Sequence, residues 1–181
     1  WHKILSEKDL CYPKDYLNIY PERRFNFIAN IPISNGCENF CTYCAVPYTR
    51  GPLKCRDYRE IIKEVKEAVL KGAKEIWLLG QNVNDYNSDG VDFPDLLKMV
   101  NNIQGKFWIR FTSPHPKNFS QKLIDVMIES EKYGPYLNLP IQSGSDGVLK
   151  RMNRPYTYEK YKGLFLRIKK SFKEKRGEDI F

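Results

Sequence analysis

Three cysteines raise the first chemical question. Cys37, Cys41 and Cys44 follow a C-x3-C-x2-C spacing that gathers three thiols within eight residues. Packing gives no reason for regular spacing, because a buried cysteine needs only volume. A disulfide would leave one thiol over. Structural zinc takes four protein ligands, and no fourth follows at a familiar spacing. Cys55 lies eleven residues beyond Cys44, and the two histidines are His2 and His115. Three thiolates without a fourth suit a [4Fe–4S] cluster whose remaining iron is open to a small molecule. Zinc completed by Cys55 or His115, and thiols of purely structural use, are the competing readings. Cys11 and Cys55 read as ordinary free thiols.

Further polar residues stand at the ends of apolar runs. Gln81-Asn82 follow Glu75–Leu79 and Gly80, Ser113 and His115 follow Trp108–Thr112, and Gln142, Ser143 and Asp146 follow Tyr136–Ile141. Amides and hydroxyls there offer donors and acceptors to a small polar ligand, and loop capping is the plainer alternative. His115, between two prolines, reads as structural before catalytic. Arg110 alternates with Trp108 and Thr112 on one strand face; facing inward it needs an anionic partner, and an outward salt bridge is the equal alternative.

These residues need elements to position them. Phe27–Ile33 reads as a strand, with Pro32 near its end or at a sheet edge. Ile61, Ile62, Val65, Ala68 and Val69 give a helical stripe over about 57–71, stopped by Gly72. Glu75–Leu79, Trp108–Thr112 and Tyr136–Ile141 are read as three more strands. Helices are expected after Pro94, after a Ser120 cap, and over about 157–175. Strands alternating with helices four times require parallel pairing, hence α/β. In such folds sites form at the carboxyl ends of the strands, where the polar residues collect. No internal repeat or low-complexity segment is visible.

Composition narrows the class. With 41% hydrophobic and 14% aromatic residues, the chain is not a disordered tail. No apolar run approaches the roughly 20 residues of a membrane span, five cysteines do not make a secreted disulfide scaffold, and Trp1–Leu5 is no signal peptide. Thirty basic against twenty-two acidic side chains leave a formal +8, which favours a polyanionic partner. Eleven of the basic residues fall between Lys150 and Arg176, where a solvated helix face is the simpler reading. Arg50, Lys54 and Arg56 flank the cysteine loop and are read as substrate contacts. The opening Trp1 and closing Asp179-Ile180-Phe181, like the start of a strand, suggest a cytoplasmic enzyme of which this is one part.

The surrounding text is more specific than the cysteines. Gly36-Cys37-Glu38-Asn39-Phe40-Cys41-Thr42-Tyr43-Cys44-Ala45-Val46-Pro47-Tyr48-Thr49-Arg50-Gly51 resembles the radical S-adenosylmethionine (SAM) methylthiotransferase family. So do Leu79-Gly80-Gln81-Asn82-Val83-Asn84, Arg110-Phe111-Thr112-Ser113-Pro114-His115-Pro116 and Leu139-Pro140-Ile141-Gln142-Ser143-Gly144-Ser145-Asp146. They are most similar to its MiaB branch, which methylthiolates position 2 of an N6-prenylated adenosine beside the tRNA anticodon.

The resemblance implies a partial (β/α) radical SAM barrel with parallel strands, truncated before its last strands. It implies that Cys37, Cys41 and Cys44 hold a [4Fe–4S] cluster, that SAM chelates the open iron, and that one electron cleaves SAM to a 5′-deoxyadenosyl radical. Tyr43 would lie against the adenine or simply pack on the loop. Gln81 and Asn82 would meet the methionyl end, Gln142 and Ser143 the ribose, and Arg110 the carboxylate. Residues 1–26 would link a missing amino-terminal domain, which carries a second [4Fe–4S] cluster as sulfur donor, to a core domain over 27–181. The implied partners are tRNA and a flavodoxin-type reductant, with no membrane. Sister branches acting on threonylcarbamoyl-adenosine or a ribosomal-protein aspartate are alternatives, and a zinc-stabilised, non-catalytic RNA-binding module is the rival from another class.

Overall fold

The computed structural model describes Leu17 and residues 27–180. Strands β1 (Ile28–Pro32), β4 (Glu75–Leu79) and β7 (Trp108–Phe111) form a parallel sheet in the order β1-β4-β7. Period-two alternation divides its faces. Ala29, Ile31, Ile76, Leu78, Ile109 and Phe111 are fully or almost fully buried, in one core with the helices. Asn30, Trp77 and Arg110 align in register on the other face, where Ile28 remains 45% and Trp108 50% exposed. Pro32 ends β1, which is an edge strand of this sheet. Both placements spare the ladder a missing N–H.

The helices start where capping chemistry is present. Asp57 accepts from Arg59 N–H ahead of α2 (Tyr58–Leu70), Asp92 from Asp95 N–H ahead of α3 (Phe93–Asn101), Ser120 from Leu123 N–H ahead of α4 (Gln121–Glu129), and Thr157 from Lys160 N–H ahead of α6 (Tyr158–Arg176). Each such cap contributes about 1 kcal/mol. Ile61, Val65 and Ala68 of α2, Leu96, Leu97 and Val100 of α3, Leu123, Ile124 and Met127 of α4, and Leu164, Ile168 and Phe172 of α6 supply the core. The expected α/β architecture is present.

One expected strand is not. Tyr136–Ile141 carries no ladder; the sheet is extended past β7 only by an isolated parallel bridge between Ile109 and Tyr133. Pro135 and Pro140 supply no donors, and side chains take the carbonyls instead. Tyr161 Oη donates to Leu139 O at 2.6 Å, Tyr156 Oη to Ile141 O at 3.0 Å, and Tyr133 Oη to Tyr136 O at 2.5 Å.

Several short elements had no sequence forecast. They are β2 (Ser34–Asn35) paired antiparallel with β3 (Lys54–Cys55), α1 (Val46–Arg50), a 3-10 turn at Val83–Asp85, the hairpin of β5 (Asn87–Ser88) and β6 (Val91–Asp92), a second 3-10 turn at Pro116–Asn118, and α5 (Asp146–Arg151). The expected linker over residues 1–26, with Cys11 and His2, lies outside the described residues apart from Leu17. No helix among the described residues is long and apolar enough to cross a membrane.

Candidate cluster and cofactor site

The cysteine loop leaves β2 through Gly36, whose φ is +79° and whose missing Cβ would lie 2.1 Å from Pro52 O. Only glycine fits that approach. Cys37 N–H donates to Gly51 O at 3.3 Å, and Cys44 N–H closes a turn on Cys41 O at 2.9 Å. Phe40 adopts a positive φ of 47° between them. The rest of the loop is held by a turn more than one hundred residues downstream. Thr42 N–H donates to Met152 O at 3.2 Å and Thr42 Oγ1 to Arg151 O at 2.9 Å. Asn153 Nδ2 donates to Asn39 O at 3.3 Å and Phe40 O at 3.0 Å, and Arg154 Nη1 to Cys41 Sγ at 3.5 Å.

Cys37, Cys41 and Cys44 are free, half-buried thiols on this loop. Among the described residues no three His, Cys, Asp or Glu side chains converge into a formed metal site, these thiols included. Their chemistry fits an iron–sulfur cluster all the same. Two sulfurs already accept N–H donors, Cys37 from Asn39 Nδ2 at 3.3 Å and Cys41 from Arg154, and such bonds to sulfur are a feature of cluster sites. Cys55 is apart from this set. It pairs with Ser34 in β3, its sulfur accepts from Asn87 N–H at 3.4 Å, and burial pushes its thiol pKa up.

Buried polar atoms without partners mark the carboxyl ends of β1, β4 and β7. Gln81 Oε1, Asn82 Oδ1, Ser34 Oγ and His115 Nε2 are all of this kind. Such atoms cost free energy unless a ligand or an ordered water satisfies them, and these residues fit a polar group such as SAM. Gly80 lets these ends approach, since a Cβ there would stand 2.5 Å from Ser34 Oγ. Asn82 Nδ2 is already engaged by Asp85.

His115 is buried and stacks edge-on against Tyr156 at 5.8 Å. Its Nδ1 accepts Lys117 N–H at 3.2 Å, which assigns the remaining proton to Nε2. Burial, helped by the charges of Arg154 and Lys117, pushes its pKa down to about 3. At neutral pH it is an uncharged donor. Strained backbone is found at Ser113, just past β7, with a φ of 59°, and at Gln142, after the unpaired segment Tyr136–Ile141, with a φ of 72°.

Other expected residues divide. Tyr43, half-exposed, accepts from Arg154 Nη1 at 3.3 Å. Gln142 is exposed, and Ser143 Oγ accepts Ser145 N–H at 3.1 Å, a loop-capping role. Arg50 and Lys54 are exposed, Arg50 donating to Asn35 Oδ1 at 3.3 Å.

Two expectations need correction. Arg56 is only 6% exposed; its guanidinium is locked to Glu64 at 2.8 Å and to Pro32 O at 2.8 Å, so it is not a substrate contact. Arg110 does occupy the open sheet face, but its anionic partner is Glu75 at the start of β4, away from the cysteine loop, with the rings of Trp77 and Tyr136 at 5.7 and 5.2 Å. It is a salt bridge, not a group waiting for a cofactor carboxylate. Sequence reasoning missed Asn153 and Arg154 as site residues. It counted Arg154 only among a basic run, and nothing in the local sequence signals its burial.

Comparison with known proteins identifies the family. The model of the Radical SAM superfamily matches residues 31–177. The chain is 48% identical over 151 residues to a protein of Lachnoclostridium phytofermentans named tRNA-2-methylthio-N(6)-dimethylallyladenosine synthase, covering 82% of this chain and 33% of that protein. Proteins of the same name from Bdellovibrio bacteriovorus and Dictyoglomus thermophilum are 52% and 45% identical over 133 and 169 residues, covering 72% and 92% of this chain and 29% and 38% of theirs. The chain thus spans about a third of the length of the curated relatives it matches. In fold it is similar to the cobalamin-dependent S-adenosylmethionine radical enzyme OxsB, with a TM-score of 0.64 at 12% identity over 83% of this chain and 23% of that one. It is also similar to the radical S-adenosylmethionine methyltransferase TsrM of Kitasatospora setae, with a TM-score of 0.62 at 13% identity over 83% and 29%. From the cysteine loop at the end of its first parallel strand, the polar strand ends and this match across most of its length, the chain belongs to the radical SAM superfamily.

Proposed function

We propose that this chain is the radical SAM portion of a tRNA methylthiotransferase that adds a methylthio group to position 2 of an N6-prenylated adenosine. The observation that carries the reading is the pairing of three free thiols on one loop with unsatisfied buried amide oxygens at the same end of the sheet. Similarity to the curated synthases supports the choice of branch over the threonylcarbamoyl-adenosine and ribosomal-protein alternatives.

Cys37, Cys41 and Cys44 would hold the [4Fe–4S] cluster. Once bound, cluster and SAM together supply a one-electron cleavage of the SAM carbon–sulfur bond. The chain's own residues bind and orient. Gln81 Oε1 and Asn82 Oδ1 offer acceptors suited to an ammonium, and His115 Nε2 offers a neutral donor. Arg50 and Lys54, exposed beside the loop, suit RNA phosphates. The proposed setting is the cytoplasm. A flavodoxin-type reductant supplies the electron, and a preceding domain, joined through residues 1–26, supplies sulfur from a second cluster.

The test gives anaerobically reconstituted full-length protein SAM, reductant and either prenylated or threonylcarbamoylated tRNA, then weighs the digested nucleosides. A 2-methylthio product from the prenylated tRNA alone is expected. Product from the threonylcarbamoylated tRNA alone would move the protein to the sister branch. A colourless protein that retains zinc and gives neither product would make it a binding module.

A further inference from the structure

Among the described residues four arginines are wholly or largely buried, and one differs from the others. Arg56 is paired with Glu64, Arg110 with Glu75 and Arg176 with Glu178. Arg154 is only 7% exposed, yet among the described residues no carboxylate stands within ion-pair distance of it. Its partners are Cys41 Sγ at 3.5 Å, Tyr43 Oη at 3.3 Å, Tyr156 Oη at 2.7 Å and Pro140 O at 3.5 Å. A buried guanidinium without a counter-charge is expensive. The partner that would turn anionic is sulfur.

We propose that Arg154 is a positioning residue for the cysteine-held cluster: its cation, seated against Cys41 Sγ, raises the cluster's reduction potential. Asn153 beside it fixes the loop backbone. The inference rests on the reading of Cys37, Cys41 and Cys44 as cluster ligands. Local charge and hydrogen bonds to sulfur set iron–sulfur potentials. Reduction adds a negative charge next to the guanidinium, which favours the reduced state. The contact is held rigidly from behind. Arg154 Nε donates to Tyr156 Oη, and that hydroxyl donates onward to Ile141 O at 3.0 Å. Asn153 has no contact with sulfur in this arrangement. Its amide bridges two loop carbonyls from a backbone φ of 56°.

The experiment is a potentiometric titration of the reconstituted full-length protein, followed by electron paramagnetic resonance. The signal of a variant with Cys37, Cys41 and Cys44 all replaced by alanine is subtracted, which isolates this cluster. In Arg154→Gln the reduced fraction relative to oxidised at a fixed potential should fall about tenfold, equivalent to about 59 mV more negative for one electron. Arg154→Lys, which keeps the charge, should shift less. Asn153→Ala should lower iron content while leaving the potential of the loaded fraction unchanged. An unshifted potential in fully loaded Arg154→Gln overturns the proposal. Should that variant fail to load, Tyr156→Phe, which frees the guanidinium from its anchor, must shift the potential in the same direction, and no shift there overturns it equally. A wild-type signal no larger than that of the triple-cysteine variant would instead overturn the underlying cluster assignment.

Discussion

Asn84 grips the backbone of His115 from both sides. Its Oδ1 accepts His115 N–H at 2.7 Å, and its Nδ2 donates to His115 O at 2.9 Å. The turn after β4 is thereby fastened to the turn after β7 at the end of the sheet where the proposed site lies. Alanine at position 84 strips both partners from partly buried backbone groups, at a cost of about 1–3 kcal/mol. Urea unfolding should show that loss, with Asn84→Asp, which keeps only the acceptor, falling between.

The ion pair of Arg56 and Glu64 yields a second prediction. Both side chains are at most 4% exposed, so removing one partner strands a buried charge. Glu64→Ala should destabilise by about 3–5 kcal/mol, whereas a paired Arg56→Met, Glu64→Leu replacement should recover most of that. RNA affinity measured on the double variant should equal wild type. A clear loss of affinity would restore Arg56 to the substrate surface.

His115 makes stability fall in acid. Its ordinary pKa of 6.5 is lowered to about 3 in the fold, so below pH 6.5 the unfolded chain binds a proton that the native state refuses. The native advantage is therefore complete above the unfolded value and declines as pH drops from there toward about 3. His115→Gln should flatten that part of the stability profile. Identical slopes for variant and wild type would show that His115 does not titrate in this way.

Iron content separates the cysteines. Replacing Cys37, Cys41 or Cys44 by alanine should each abolish the cluster, while Cys55→Ser, in a thiol already satisfied by Asn87 N–H, should retain it. Elemental analysis after anaerobic reconstitution decides. A Cys41→Ala protein with undiminished iron in this domain would sink the ligand assignment.

Much of this was legible because the relevant forces are local. Ser120 announces a helix by cap chemistry, the Ile61, Val65 and Ala68 stripe stopped by Gly72 announces another, and β1, β4 and β7 announce themselves as short apolar runs bounded by turns. The segment 136–141 misled because its apolar alternation matches a strand while its carbonyls are claimed by Tyr156 and Tyr161, whose reach no local pattern reveals. Arg56 was decipherable with one more step: Glu64 falls in the buried stripe with Ile61, Val65 and Ala68, and a carboxylate there demands a cation. Arg154 offered no such clue, since its partners are Cys41, Tyr43 and Tyr156 across a long loop closure.

That closure also orders events during synthesis. Cys41 and Arg154 are separated by 113 residues, so a ribosome adding ~5–20 residues per second delivers the thiols roughly 6–23 s before the turn that fastens their loop. Through that interval the three cysteines are carried on a nascent chain without Thr42, Asn39 or Phe40 yet tied down. On the proposed cluster assignment, a chain interrupted ahead of Arg154 would present its sulfurs without the contacts that Met152, Asn153 and Arg154 make to their loop.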